Sequence, residues 1–222
     1  MTCCQRGAAA DQFDATIAQR DLERFRRRGP DTPTRRLIAA IEARSLPPEP
    51  TLLDVGGGVG AIHHALLDQG FSRATHLDAS GAYLTAAAEE ARRLGHTGRV
   101  EFLLAAFPAE APTVSSADVV TLDRVVCCDP DYEQLLGAAA RHAGRLLAFS
   151  YPRPRWLTRL VVAAANAWRR VTRRPFRASV HSPARMAAVL EGAGLQPAWA
   201  GGTWIWAVEV YERAAARDAR RP

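Results

Sequence analysis

From Thr51 onward the chain alternates short, solidly apolar runs with segments whose apolar positions recur at helical spacing. Solid rather than alternating runs are what strands covered on both faces require, so the pattern predicts a parallel sheet between two helical layers. The predicted strands are Thr51–Val55, Ala74–Asp78, Arg99–Leu104, Ala117–Leu122 and Arg145–Ser150, separated by helices over Ala61–Gln69, Gly81–Leu94 and Tyr132–His142. Gly70 and Gly95 stand where helix C-caps belong. Two helices precede this region. One is expected over Asp11–Arg28, stopped by Gly29-Pro30; the other over Thr34–Arg44, with Thr32 as its cap and Pro33 in its first turn. The Leu46-Pro47-Pro48-Glu49-Pro50 linker follows, so residues 1–50 read as a cap lying over the domain. After a helix at Pro183–Glu191 the style changes to a hairpin, Leu195–Ala200, Gly201-Gly202-Thr203 and Trp204–Tyr211. Pro197 cannot donate to a ladder, which puts the first hairpin strand at an edge and leaves the second free to insert inside the sheet.

Composition narrows the reading. With 222 residues, 48% of them apolar and 23% charged, one core is affordable but not two, so residues 51–213 are read as a single domain and 214–222 as a tail. The 16 glycines and 14 prolines carry no period, which excludes collagen-like and repeat architectures. Every basic residue is arginine. The formal net charge of +6 has an address, because Tyr151 to Val180 holds Arg153, Arg155, Arg159, Arg169, Arg170, Arg173, Arg174 and Arg177 with no Asp or Glu, leaving the remainder net acidic. A nucleic-acid surface would spread its arginines more widely, which argues against a nucleic-acid partner. The cysteines form two adjacent pairs, Cys3-Cys4 and Cys127-Cys128, with neither disulfide nor zinc spacing; they read as reduced thiols, and no metal is expected. Met1 to Asp14 lacks the apolar stretch of a secretory signal, and Trp156 to Trp168 is too short and polar to span a bilayer. A cytoplasmic location follows as the expectation.

The chemistry concentrates in Leu52-Leu53-Asp54-Val55-Gly56-Gly57-Gly58-Val59-Gly60-Ala61-Ile62, a strand running through a glycine turn into a helix. Such a turn lets a ligand approach the main chain, and the following helix presents free amides to it. Gly56, Gly58 and Ala61 satisfy a relaxed dinucleotide fingerprint, while Asp54 and Gly60 also satisfy the pattern of S-adenosylmethionine (SAM) sites; Asp78, ending the next strand, suits ribose hydroxyls in either case. Order decides between them, since two helices come first and a hairpin last. From about residue 34 to 213 the chain resembles the class I SAM-dependent methyltransferases. Within that family it is similar to bacterial small-molecule methyltransferases carrying a Leu-Asp-Arg-Val-Val-Cys-Cys-x-Pro-Asp stretch, here Leu122 to Asp131. The layout from Tyr151 to Glu212 bears a more distant likeness to the magnesium-protoporphyrin O-methyltransferases. The resemblance implies an α/β, Rossmann-like fold: a seven-stranded, mostly parallel sheet with a C-terminal antiparallel hairpin, helices on both faces and an N-terminal helical cap. It further implies SAM as cofactor, with Gly56, Gly57, Gly58 and Gly60 against its methionine and ribose portions and Asp54 anchoring the turn. Asp78 would take the ribose diol beside Ala79 and Ser80, and Ala106, Phe107 and Asp123 would line the rest. Where the family commonly places an acid for the adenine amino group, this chain has Leu104-Ala105-Ala106-Phe107.

Between the fifth strand and the last helix lies a helical insert at about 153–179. Leu157, Leu160, Val161, Ala164, Trp168 and Val171 form one stripe and Arg155, Arg159, Asn166, Arg170 and Arg173 the other. Three readings compete for it: a helix packed by its apolar stripe with a solvated charged face, a lid attracting an anionic or amphipathic small molecule, and a peripheral membrane contact. Arg124 and Trp156 are the candidate substrate contacts. His181 and Tyr151, at the substrate edge, are the candidate catalytic residues, whereas His63 and His64 are expected beside or away from their helix's buried stripe. Arg35 and Arg36 offer a partner for a SAM carboxylate, although surface solvation suits them equally. The activity expected is methyl transfer to an O, N or C acceptor; a SAM-binding scaffold without turnover, an RNA methyltransferase and an NAD-dependent oxidoreductase are the alternatives.

Overall fold

The computed structural model describes residues 13–214, so Cys3-Cys4, the start of the first predicted helix and the tail beyond Ala214 lie outside the described residues. In chain order the elements are α1 (Ala15–Arg28), α2 (Thr32–Glu42), β1 (Thr51–Val55), α3 (Ala61–Asp68), β2 (Arg73–Asp78), α4 (Gly81–Leu94) and β3 (Val100–Leu104). They continue as β4 (Ala117–Asp123), α5 (Tyr132–His142), β5 (Ala143–Pro152), α6 (Trp156–Val171), α7 (Pro183–Gly192), β6 (Leu195–Gly202) and β7 (Trp206–Arg213), with short 3-10 turns at Ala111–Thr113 and Val126–Cys128.

The seven strands form one sheet in the order β3-β2-β1-β4-β5-β7-β6. Its first five strands are parallel, and β7 enters antiparallel to β5, pairing Phe149 with Glu209 and Tyr151 with Ala207. That inserted strand replaces the sixth parallel strand of a dinucleotide-binding fold. β6 is the edge, as Pro197 requires, and its ladder slips between Pro197 and Trp199. The solid apolar runs have their expected cause: alternate residues of each central strand feed two separate cores. Leu53, Val120, Leu147 and Phe149 face α5 and α7 on one side, where Leu136, Met186 and Leu190 are buried. On the other side Leu52, Val119, Leu146, Ala148 and Val208 meet α2 and α3.

Two expectations need correction. The second helix begins two residues earlier than its apolar pattern suggests, because Asp31 rather than Thr32 is its cap, accepting from the Thr34 amide. Nor does it lie over the domain: Leu37, Ile38 and Ile41 are built into the sheet's core, and only α1 rides outside, on Tyr83 and Ala86 of α4. The larger correction concerns α6. Its apolar stripe faces outward, with Trp156 76%, Leu160 57%, Val161 60%, Trp168 68% and Val171 76% exposed. The polar side is the one held. Thr158 is buried, Asn166 exchanges two hydrogen bonds with the backbone of Ala178 (2.7 and 3.1 Å), and the Arg169 guanidinium sits over Phe176. A packed helix with a solvated charged face is therefore excluded.

Phe149 lies at the centre of the sheet with no exposed surface. Phe149→Ala is expected to cost about 3–5 kcal/mol of unfolding free energy, read from the urea midpoint, because the cavity it opens between strands and helices cannot collapse; a cost below about 1 kcal/mol would contradict this packing.

Candidate functional site

The carboxyl ends of β1, β2 and β4 meet at the glycine turn between β1 and α3. Gly56, Gly58 and Gly60 all have positive φ (64°, 58° and 87°), which only glycine adopts freely. Space constrains the turn as much as torsion. A Cβ on Gly57 would stand 2.5 Å from Asp54 Oδ2 and 2.8 Å from His76 Nδ1, and one on Gly60 would fall within 2.6 Å of His63 Nε2. The turn is thus laid directly on side chains from β1, β2 and α3.

Those side chains form a buried polar cluster. Asp54 Oδ1 accepts from the Thr121 hydroxyl at 2.7 Å, and Oδ2 lies 3.4 Å from His63 Nδ1. His63 Nδ1 meets His76 Nδ1 at 3.1 Å; beside it His64 Nδ1 meets His96 Nδ1 at 3.1 Å, and His96 Nε2 reaches Asp68 at 3.0 Å. The expectation that His63 and His64 lie beside or away from the buried stripe is overturned, since both are buried with His76 and His96. Their helix is eight residues long and sits between the glycine turn and the sheet, so even its flank is covered. Burial drives the pKa of His63, His64 and His76 down to about 3, with neighbouring imidazoles adding to the effect. Burial likewise pushes Asp54 up. Asp54, His63 and His76 bring one ligand atom each within 4.8 Å of one another. Both oxygens of Asp54 and the Nδ1 atoms of His63 and His76 take part in this network, while the Nε2 atoms of His63, His64 and His76 are buried without a hydrogen-bond partner.

Above the turn, Asp78 binds the backbone on both sides of the crevice. Its Oδ2 accepts from the Gly58 amide at 3.1 Å and its Oδ1 from the Ser80 amide at 2.8 Å. Burial raises its pKa to about 6 despite these two amides. Each carboxylate oxygen keeps a second lone pair, so the group can still accept from a ligand diol. Ser80 caps α4 and donates its hydroxyl to the Phe13 carbonyl, while Ala79 is half-buried beside it. Ala106 and Phe107 are buried after β3, and the Ala106 amide donates to the Glu110 carboxylate at 2.7 Å. That contact brings the Glu110 carboxylate back beside the end of β3.

Asp123 and Arg124 are brought together with two residues that sequence reasoning did not single out. The Arg124 guanidinium donates to Asp31 (2.6 Å), Asp123 (3.1 Å) and Thr34 (3.2 Å); the Thr34 hydroxyl lies 2.6 Å from Asp123, and Ser150 donates to the other Asp123 oxygen at 2.5 Å. Burial works against Asp31's charge, but Arg124 and Thr34 hold its carboxyl below the ordinary range. Arg35 and Arg36 are exposed, and Arg35 turns back to the Pro30 carbonyl. His181 lies along the turn that follows β4, with Nε2 3.1 Å from the Val126 carbonyl and its ring stacked on Tyr132; burial lowers its pKa. Tyr151 is 3% exposed, its hydroxyl donating to Glu209 at 2.5 Å, and burial raises its pKa. Trp156 opens α6 on the outside surface. Cys127 and Cys128 are free thiols with sulfurs 3.8 Å apart, both near the Arg124 carbonyl. Asp31 was readable as an N-cap from Asp-Thr-Pro-Thr; its pairing with Arg124, 93 positions away, was not.

Residues 52–144 match the family described as methyltransferase domain. A magnesium protoporphyrin IX methyltransferase from Synechocystis, with bound SAH, superposes with a TM-score of 0.73 over 95% of this chain and 100% of its own, at 19% identity. An O-methyltransferase family protein from Burkholderia thailandensis gives 0.70 at 17% identity, covering 92% of this chain and 61% of its own. A protein described as a putative sarcosine dimethylglycine methyltransferase from Galdieria sulphuraria gives 0.67 at 12% identity, over 82% of this chain and 85% of its own. Among curated proteins, none matches this chain in sequence. The fold is that of the class I SAM-dependent methyltransferases, and the match to the methyltransferase domain family spans residues 52–144.

The buried histidines set the acid limit of the fold. Their folded pKa of about 3 lies below the ordinary 6.5, so the stability they allow is complete above pH 6.5 and drains away as pH falls toward 3, where the unfolded chain binds protons the folded one refuses. The buried carboxyls Asp78, Asp54 and Asp129 work in the opposite sense: each favours the fold below its ordinary 3.8 and loses that contribution as pH rises through its raised folded value, about 6 for Asp78. Because the carboxyls release protons where the histidines take them up, the pH dependence is read by difference: relative to the wild type, His64→Gln is expected to lower the proton uptake on unfolding between about pH 4 and 7 by about one, measured from the slope of urea stability against pH. A slope that His64→Gln leaves unchanged would contradict the buried, neutral assignment.

Proposed function

We propose that this chain transfers the methyl group of SAM to an O, N or C acceptor on a small molecule. The observation that carries the reading is Asp78. A carboxylate at the end of β2 binds the amides of Gly58 and Ser80 on either side of a glycine turn, on a sheet whose β7 runs antiparallel inside the edge. The residues present fit the cofactor. Gly56, Gly57 and Gly58 leave half-exposed backbone at the crevice floor, Asp78 retains acceptor capacity for a ribose diol, and Ala106 and Phe107 are assigned to wall the far end, beside the Glu110 carboxylate that bonds the Ala106 amide. Bound SAM supplies a methyl group carried on a sulfonium, which reacts by in-line attack.

What the chain contributes is position and field. Asp123 and Arg124, locked with Asp31 and Thr34, form one wall of the crevice and hold it at a fixed distance from α2. The Arg124 guanidinium is taken up by Asp31 and Asp123, so any preference for an anionic or amphipathic substrate would come from the arginines of the Tyr151–Val180 stretch rather than from this wall. His181 and Tyr151 are assigned to orienting the acceptor side through the turn after β4 and the end of β5. Neither is assigned as a general base, because the backbone holds the one and Glu209 the other. An acceptor that arrives already nucleophilic suits this arrangement. A cytoplasmic location is the companion reading, supported by the free thiols Cys127 and Cys128. No helix among the described residues is long and apolar enough to cross a membrane.

Calorimetric titration tests the reading without a substrate. SAM and SAH are expected to bind with micromolar affinity and NAD not at all; Asp78→Asn is expected to weaken both by at least about tenfold while the thermal transition stays cooperative. Wild-type affinity should also decline as pH falls through about 6, where Asp78 takes up its proton, and that decline should vanish in Asp78→Asn. Binding of NAD in place of the SAM pair would overturn the proposal.

A further inference from the structure

Apart from Leu104, every large apolar side chain exposed among the described residues lies on one surface: Trp156, Leu160, Val161, Trp168 and Val171 of α6, and Trp204 and Ile205 at the β6–β7 hairpin tip. At 3.6 residues per turn the five helix positions occupy about 140° of arc, opposite the Thr158, Asn166 and Arg169 side that is fastened to the domain. The two parts of the surface are joined. The Arg155 guanidinium covers the Trp204 ring at 5.1 Å, the Arg153 amide donates to the Ile205 carbonyl at 2.8 Å, and the Arg153 side chain holds the carbonyls of Gly201 and Thr203. Arg159 and Arg170 are exposed beyond the Trp156 edge of that arc, and Arg155, Arg173 and Arg174 are exposed at the two ends of the helix, within a stretch containing no acid.

From this juxtaposition we infer that α6 and the hairpin tip form a docking face for an anionic lipid bilayer, with the apolar side chains entering the headgroup boundary and the arginines on the lipid phosphates. Three features select this occupant. A helix lying in a membrane interface needs an apolar face turned away from its own protein, with tryptophans and cations at its margin, and α6 has that orientation and composition. A second copy of this chain would bring one acid-free basic face against another, which like charges oppose, whereas anionic headgroups complement it. A small apolar ligand needs a concave site, and this face is the convex side of a helix joined to a hairpin tip.

The test is co-sedimentation of the full chain with vesicles of phosphatidylcholine alone and of phosphatidylcholine with phosphatidylglycerol in about a 2:1 ratio. The protein should sediment with the anionic vesicles only, and at least about tenfold less in high salt. Its tryptophan emission should shift to the blue and be quenched by brominated lipid chains, a readout that needs no variant. L160Q/W168Q/V171Q and, separately, R170E/R173E/R174E should each weaken sedimentation by at least about tenfold while retaining the wild-type circular dichroism and thermal transition. Absence of sedimentation at low ionic strength would overturn the inference. So would sedimentation that L160Q/W168Q/V171Q leaves intact, which would mean charge adsorption alone, or a dimer seen by light scattering that the same variant dissociates.

Discussion

Asp54 is the point on which the site turns. Taking a carboxylate out of water costs several kcal/mol unless hydrogen bonds replace the lost solvation, and here the Thr121 hydroxyl and the His63 imidazole are the replacements. Those partners come from β4 and α3, so satisfying one buried group fixes the distance between two strands and the helix that follows the turn. The glycines are the geometric consequence. The space above Asp54 Oδ2 and His76 is the space that a Cβ at position 57 would occupy. The backbone can close over the cluster only if that position carries no side chain, and the same bareness leaves main-chain groups facing the crevice above. Packing below the turn and ligand access above it are therefore one requirement.

The outer wall of the crevice is built on a different principle. Arg124, in the left-handed region at φ 61°, turns its guanidinium toward Asp31 at the start of α2 and toward its own neighbour Asp123. A neutral pair could bridge that gap, but an arginine fork meets two carboxylates at once with geometric specificity. The cap is tied at further points, by Tyr83 donating to Asp21 and by Arg26 reaching Glu90, whose carboxylate also receives Arg93. Each tie joins α1 or α2 to a residue that flanks the crevice or lies on α4 beneath it. The outer wall is thus fixed by ion pairs on top of α2's own packing in the core, while the floor is set by exclusion of water.

Much of this was legible in the sequence because its causes are local. Strand and helix boundaries fell within a few residues, since two-sided burial leaves solid apolar runs and Gly95 takes the left-handed conformation that ends α4. The inserted β7 followed from one proline and one hairpin. What escaped was nonlocal. His63 and His64 sit at positions a helical wheel places off the main stripe, yet an eight-residue helix wedged under a turn has no free flank. Glu110 comes back to the Ala106 amide through a loop closure that no spacing rule encodes. The Asp31–Arg124 pair depends on the register of a helix against a strand end, which the tertiary fold alone determines.

The orientation of α6 shows where a hydrophobic pattern stops being informative. Periodicity establishes that a helix has an apolar face; it carries no sign telling whether that face points toward the protein's own core. The usual inference, apolar side inward, assumes that the domain has apolar surface left to cover. Here it does not, because both faces of the sheet are already closed, one by α5 and α7 and the other by α2 and α3. With no apolar partner available, the polar side is the one that finds specific contacts, through Asn166 to the Ala178 backbone and Arg169 to Phe176. Leaving so much apolar surface in water is unfavourable by the transfer free energy of those side chains, about 1.5–3 kcal/mol for each one that could be buried fully. The amphipathic sequence thus makes physical sense when the partner of that face lies outside the domain.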